Sequence, residues 1–404
     1  MSGSMQEGIF FQEGTRPGKF FLITFLAVEP GVDAAQVKRC LGSLWRTLSD
    51  LRAGLVEDLP GFPVPHGDLK VTIGYGPLAF KLSGAAAIPS ELGPSNRFLS
   101  PRTSGGGPLL NGAGLFYEDG LVKNTATEAI AVQFIAETQL AVLRALVEIW
   151  KALVNYPSKS GAPPTLYVAG HFQGFQRDDH RSWIDFHDGV SNLRSGPERE
   201  NAITIKEGAY RGGTYLCFLR LLVDLPRWRA LSRNEQELVV GRDKLTGCSL
   251  TGIDESGTAS REAGCPFTGT STVIDSGNDG FHEPPLVGHP VLRQSHVQRA
   301  NLQHSQNTSD PQSLRIFRQG YEFLEPSVGT PPFRLGLNFV SFQDTPRRVI
   351  RLLTRDGWLG NTNFGGAPIG EHAAVDLLKV NAGGIYLVPP ITPGEGFPGE
   401  AIFQ

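Results

Sequence analysis

The nine residues FFLITFLAV (20–28) are aromatic, aliphatic or β-branched throughout. A run this apolar, at strand length and with no alternation, predicts a strand buried on both faces. The period changes straight after the EPGVD turn. Val37, Cys40, Leu41, Leu44, Trp45, Leu48 and Leu51 recur at helical spacing, with Asp33 placed to cap the helix. A doubly buried strand followed by an amphipathic helix restricts the chain to layered helix-and-sheet architectures. LKVTIGYG (69–76) and EAIAVQFIAE (128–137) read as further strands. Thr138 is placed to cap a second helix, whose apolar stripe is expected to be Leu143, Leu146, Val147, Trp150 and Val154.

The second half repeats the theme with longer loops. TLYVAG (165–170), GGTYLCFLRLLVDL (212–225) and RLGLNFVSF (334–342) are strand-like. Ser232 to Glu235 has capping-box spacing, and Val349, Ile350, Leu352 and Leu353 recur on a late helix. The expected fold class is therefore α+β, as a duplicated unit with no repeat visible at the residue level. A chain of 404 residues is long enough for two such units. The Pro/Gly/Ser stretch NYPSKSGAPP (155–164) sets the expected boundary, giving units 5–160 and 161–404. The Gly/Ser/Thr-rich tract 251–280 reads as a surface insertion.

Charge and cysteine usage narrow the function classes. The formal charge is −3 and no dense Lys/Arg run occurs, so nucleic acid is not an expected partner. The longest apolar run is too short to span a bilayer, and the first residues lack the pattern of a secretory signal. A membrane partner is not expected, and the expected location is the cytoplasm. Cys40, Cys217, Cys248 and Cys265 show no paired spacing, which predicts neither a disulfide framework nor a zinc site and fits a reducing compartment.

Three stretches carry chemistry. His171, Asp178, Asp179, His180, Asp185, His187 and Asp188 crowd into 18 residues. Such density suits either a non-haem metal site or a solvated loop with one working carboxylate. His187 and Asp188 are adjacent and point apart in extended backbone, which disfavours shared ligation. His296 stands in RQSHVQRAN (293–301) between Arg293 and Arg299. A solitary histidine is ordinarily a satisfied surface or core residue, but one imidazole is all that a haem iron requires. Arg318, in SLRIFRQGYEFLEP (313–326), follows Ile316 and Phe317. An arginine in that setting is costly unless paired or at work.

Taken in order, these blocks resemble the dye-decolourising peroxidase (DyP-type haem peroxidase) family, from near residue 5 to about residue 370. MQEGI is similar to the family's opening segment and FHDGVSN to its Phe-x-Asp-Gly signature. GGTYLCFLRLLVDLPRWRALSRNEQELVVGRDKLTGCSL resembles its Gly-Gly-x-Tyr strand, helix and Gly-Arg-x-Lys-x-Thr-Gly run. SHVQRAN resembles the proximal-histidine segment, IFRQGY the Arg-Gly-Tyr segment and GLNFVSFQDTPRR the late core strand.

The resemblance implies tandem ferredoxin-like units of the dimeric α+β barrel kind, with one haem b per chain held mainly by the second. It implies a peroxidase that reduces hydrogen peroxide through a ferryl intermediate and then oxidises aromatic, dye-like donors by single electrons. In that scheme Asp188 carries the proton, Arg318 stabilises charge on the peroxide and His296 is the axial iron ligand, with Asp188, Arg318 and Arg299 also against the haem. Asp344 is the expected partner of the axial histidine. Homo-oligomerisation is left open. Three positions depart from the pattern. Asp185 stands where the signature has glycine, Gln319 where a second arginine is common, and Thr345 where an acid is frequent. The departure at Asp185 also admits a haem-handling protein with residual activity.

Overall fold

The helix caps predicted above at Asp33, Thr138 and Ser232 are all formed. Asp33 accepts from the Gln36 amide at 2.8 Å while the Gln36 side chain accepts from the Asp33 amide at 2.9 Å. Thr138 accepts from the Ala141 amide, and Ser232 with Glu235 forms the second reciprocal box. The computed structural model describes residues 3–11, 18–92, 128–156, 164–189, 192–193, 196–261, 288–301, 309, 313–353 and 377–404.

The chain runs β1 (Phe20–Val28), α1 (Ala34–Arg52), β2 (Lys70–Tyr75), β3 (Glu128–Ala136), α2 (Gln139–Val154) and β4 (Leu166–Phe175). It continues through α3 (Pro197–Ile203), β5 (Thr214–Val223), α4 (Leu225–Ala230), α5 (Arg233–Val240), β6 (Leu250–Ile253), β7 (Ala259–Arg261) and α6 (His296–Asn301). Then come β8 (Phe317–Pro326), β9 (Phe333–Gln343), α7 (Pro346–Leu353) and β10 (Leu378–Val388). Eight strands form one closed antiparallel barrel in the order β1-β3-β2-β10-β5-β9-β8-β4, with β6 and β7 in a separate ribbon.

Two ferredoxin-like βαββαβ patterns make this barrel. Strands β1 to β4 pair as β4-β1-β3-β2, and β5, β8, β9 and β10 pair as β8-β9-β5-β10. The sheets meet at Leu387–Tyr75 and at Phe175–Glu322. The α+β class and the duplication are thus present in the backbone. By pairing, β4 completes the first pattern, although it lies beyond the linker at 155–164.

The inside of the barrel is filled by alternate residues, among them Phe21, Ile23, Phe25, Phe218, Phe317, Tyr321, Phe342 and Tyr386. Phe21 and Tyr321 stack with centroids 4.6 Å apart across the two sheets. Outward residues of β1, β2 and β3 pack beneath α1 and α2.

Three expectations change. The buried side of α2 is Ala141, Val142, Ala145, Glu148, Ile149 and Leu153. Val147, Trp150 and Val154 are instead 53, 56 and 55% exposed, while Leu143 and Leu146 are half-buried. Apolar residues wrap more than one side of this helix, so periodicity alone misplaces the buried face. Tryptophans on apolar stripes read as core from the sequence; this holds for Trp228, which is buried, and not for Trp150, while Trp358 lies outside the described residues. Cys40 and Cys217 are free and buried, but Cys248 is disulfide-bonded. A single disulfide needs only proximity in space, which spacing along the chain does not reveal. The cysteines therefore no longer argue for a reducing compartment. The 251–280 tract is described only to residue 261, where it forms the β6–β7 ribbon. Among the described residues, no helix is long and apolar enough to cross a membrane.

Candidate active site

The acids and histidines between β4 and α3 are dispersed by the turn they build. Arg177 forks onto Asp179, at 2.9 and 2.5 Å, and also donates to the Ser182 carbonyl. Asp178 pairs with Lys19. Arg181 meets His187 Nε2 at 2.9 Å and donates to the carbonyls of Asp185, Lys244 and Leu245. Burial and Arg181 together push the His187 pKa down, favouring the neutral imidazole. Among the described residues no three His, Cys, Asp or Glu side chains converge as a metal cage.

Asp185 answers to the backbone. Its amide donates to the Ser182 carbonyl at 2.8 Å, and the Ser182 amide donates to the Phe186 carbonyl at 2.9 Å. The tight reversal drives Asp185 to φ +66°, the left-handed region that glycine enters freely and aspartate tolerates better than most residues. Its side chain is exposed and lies 3.6 Å from Lys244 Nζ across the loop.

Asp188 is brought onto β8. Its amide donates to the His180 carbonyl at 2.9 Å, and its Oδ1 accepts from the Gly189 amide at 2.8 Å. Its Oδ2 rests against Gly320, where any Cβ would lie 2.7 Å away. Strand alternation sets Arg318 and Glu322 on the same face as Gly320, with Phe317, Gln319 and Tyr321 turned the other way. Asp188 is therefore seated between an arginine and a second carboxyl. Burial pulls the Arg318 pKa down and the Asp188 charge opposes it, so the two are electrostatically coupled. Gln319 lies on the opposite face, donating to the Gly8 and Ile9 carbonyls and anchoring the N-terminal segment. Its replacement of an arginine leaves Arg318 in place.

Two supports of this arrangement are not legible in the sequence. Asn192 clamps the backbone of Arg318, donating to its carbonyl at 2.8 Å and accepting from its amide at 3.0 Å. Trp183 Nε1 donates to the Phe323 carbonyl at 2.9 Å, with the Arg177 guanidinium 5.0 Å above its ring. An asparagine four residues after a signature aspartate is the available clue for the first. Nothing marks the second.

The GRDKLTG run ties this turn to the helix that bears His296. Gly241 ends α5 at φ +88°, and a Cβ there would collide with Ser295 Oγ. Ser295 starts α6, accepting from the Gln298 amide through its Oγ and from the Arg299 amide through its carbonyl. His296 is the first residue of that helix and is half-buried. Asp243 Oδ1 accepts from the Thr246 amide and hydroxyl, both at 2.6 Å, which closes the loop. Gly247 then lies against His187, and Lys244 reaches over Phe186 and Trp228. Arg299 donates to Gln294 at 2.7 Å. Asp344 accepts a fork from Arg348, at 2.6 and 3.0 Å.

These residues suit a haem. Beside Gly320, Glu322 Oε1 is a buried polar atom without a hydrogen-bond partner among the described residues. The donors suit it too, since a porphyrin supplies the equatorial nitrogens and asks the protein for one imidazole.

Comparison with known proteins bears on the same stretch. A family model described as Dyp-type peroxidase, C-terminal, matches residues 179–392, more than half of the chain. The dye-decolorizing peroxidase of Mycobacterium tuberculosis is 28% identical over 200 residues, which are 49% of this chain. That match spans about half of the relative's own length, 51%. Among solved structures, the DyP-type peroxidase of Cellulomonas bogoriensis superposes with a TM-score of 0.64 at 19% identity, covering 100% of this chain and 97% of that one. Ferric DtpA of Streptomyces lividans gives 0.66 at 21% identity, covering 99 and 98%. At such identities the structures bear on the fold, which they share, while the family model covers the turn, the GRDKLTG run and β8. On that match the chain belongs to the DyP-type peroxidase family.

Proposed function

We propose that the chain is a haem-dependent peroxidase that reduces hydrogen peroxide and oxidises aromatic, dye-like donors one electron at a time. The observation that carries this reading is the Asp188 carboxylate seated on Gly320 in electrostatic contact with Arg318, within the stretch matched by the family model. His296 would hold the iron, with Arg299 on the same short helix against the cofactor and Asp344 as partner of the imidazole. A bound haem b would supply the two-electron reduction of peroxide and the single-electron oxidations that follow.

The protein's own part is position and charge. Asp188 takes a proton from the bound peroxide on a carboxylate oxygen and returns it to the departing one. The neighbouring Arg318 holds the negative charge that develops as the oxygen–oxygen bond breaks. Gly189 places a backbone N–H on Asp188 Oδ1, which leaves Oδ2 as the oxygen that rests on β8. A haem-handling protein with residual activity is the alternative suggested by Asp185. Its exposed, left-handed position beside Lys244 gives that reading no support.

The test is spectroscopic. Protein expressed with haem should show a Soret band that shifts on mixing with peroxide. Removing the charge-stabilising donor in Arg318→Ala should slow that shift by about 10²–10³-fold. Asp188→Ala should slow it by about 10²–10⁴-fold. His296→Ala should weaken haem retention. Full reactivity in all three variants would overturn the assignments.

A further inference from the structure

Among the described residues, Glu322 is the buried carboxyl beside this site to which the reaction above gives no role. It is 5% exposed, and no ion pair holds it among the described residues. Its Oε1 has no hydrogen-bond partner among them either. It stands two residues from Gly320 on the face that carries Asp188, opposite Arg318, at the seam where β8 pairs with Phe175 of β4. The turn that delivers Asp188 also covers Glu322. Trp183 directs its backbone N–H to the Glu322 carboxyl and its indole N–H to the Phe323 carbonyl.

We propose that Glu322 is a positioning residue of the peroxide site, a second carboxyl that stays neutral while Asp188 is charged and whose ionisation closes the site at alkaline pH. This rests on the peroxidase reading. Two carboxyls flanking one seat do not ionise together cheaply, and unequal surroundings divide the roles between them. Asp188 has Arg318 and the Gly189 amide. Glu322 has burial, one backbone N–H from Trp183 and an unpartnered oxygen. While Glu322 is neutral, Asp188 and Arg318 balance each other. Once it ionises, the group carries an excess negative charge, which repels anionic peroxide.

Among the described residues, the charged groups acting on Glu322 come from the turn. Burial pushes its carboxyl up, and Asp188 adds to that; Arg177 opposes, Asp179 reinforces, and the pKa reaches about 9. On β8 itself Arg318 stands four residues away, beyond Gly320, while Phe175 and Leu337, paired with Glu322 on β4 and β9, carry no charge. In the unfolded chain Glu322 releases its proton near its ordinary 4.5, whereas in the folded chain it keeps it to about 9. Glu322 therefore weakens the fold progressively across that window as pH rises, and costs nothing below it.

The experiment compares the haem-loaded full chain with Glu322→Gln, which keeps the shape of the neutral acid, and with Glu322→Asp, which restores a carboxyl. The rate of the peroxide-induced Soret change is followed against pH, and infrared spectra are recorded on the same samples. The native protein should lose rate about tenfold per pH unit beyond about 9, and Glu322→Gln should lack that limb while Glu322→Asp retains one. A protonated-carboxyl carbonyl band at neutral pH should vanish in Glu322→Gln. The stability gained by Glu322→Gln should grow with pH. An unchanged alkaline limb in Glu322→Gln, or a native protein without the band, overturns the proposal alone. A native protein that binds no haem or ignores peroxide overturns the peroxidase reading and the proposal with it.

Discussion

Strands β2 and β8 hold the same place in their respective ferredoxin-like patterns, and they turn opposite chemistry outward. β2 presents Val71, Ile73 and Tyr75 to the core beneath α1 and α2. β8 presents Arg318, Gly320 and Glu322, and the apolar residues Phe317 and Tyr321 face the barrel interior instead. The interior is packed alike on both sides, with Phe21 of β1 stacked on Tyr321 of β8. One topology thus tolerates two outer surfaces, because the shared aromatic interior already holds the two sheets together. The first unit uses its outer face for stability. The second gives that up on one strand, and local rules broken in this way mark functional sites.

The largest effect expected from that division is on stability, in the first unit. Ile73 is 2% exposed within the helix-covered core. Ile73→Ala should cost about 2–5 kcal/mol, through lost transfer energy and the cavity left behind. Denaturant melts would show it as a lower midpoint with an unchanged slope. Haem loading and the peroxide-induced Soret change should survive at temperatures where the variant stays folded. If the folded variant reacts with peroxide as poorly as Arg318→Ala, the two units do not divide their work as described.

Gly320→Ala is the converse test. Strand geometry accepts alanine there, and its added Cβ would restore what Gly lacks for strand stability, about 0.5–1 kcal/mol. The same Cβ would collide with Asp188 Oδ2, 2.7 Å away, with Leu337 Cδ1 at 3.3 Å on its other side. A displacement of that order at a reacting group is worth about 10²-fold in rate. The peroxide reaction should therefore fall by that factor while the melting temperature holds or rises. A fully active Gly320→Ala would mean that Asp188 does not need its seat on β8.

How much of this is legible depends on the range of the signal. FFLITFLAV, Asp33 and the Ser232–Glu235 box act within a few residues, so their strand, cap and box are readable directly. The duplication is readable as a rhythm of elements. The side of α2 that is buried is not, because Leu140, Val147, Trp150 and Val154 continue the apolar pattern round to solvent. Asp188, Arg318 and His296 stand out only as parts of a resemblance. Their seating on Gly320, the Asn192 clamp across 126 positions and the Ser295–Gly241 contact join segments far apart in the chain. Glu322 escapes a sequence reading for the same reason. Its isolation is a property of the turn folded over it, and no spacing along β8 encodes that turn.

The smallest expected effect concerns that turn, which lies between the two units and belongs to neither set of strands. At φ +66° an L-residue carries a steric cost of about 1–2 kcal/mol, reduced for aspartate by its local hydrogen bonding. Glycine removes that cost but loses more freedom on folding, about 0.5–1 kcal/mol. The Lys244 partner is an exposed pair at 3.6 Å and contributes little. Asp185→Gly should consequently change stability by no more than about 0.5 kcal/mol, whereas Asp185→Ala, which keeps the Cβ without the polar group, should cost about 1 kcal/mol. Both should leave the pH profile of the peroxide reaction where it is, since neither touches Asp188, Arg318 or Glu322. A shifted profile in Asp185→Gly would mean that the extra carboxylate reaches the site electrostatically. The outward face of β8 would then be tuned from the connection as well as from its own strand.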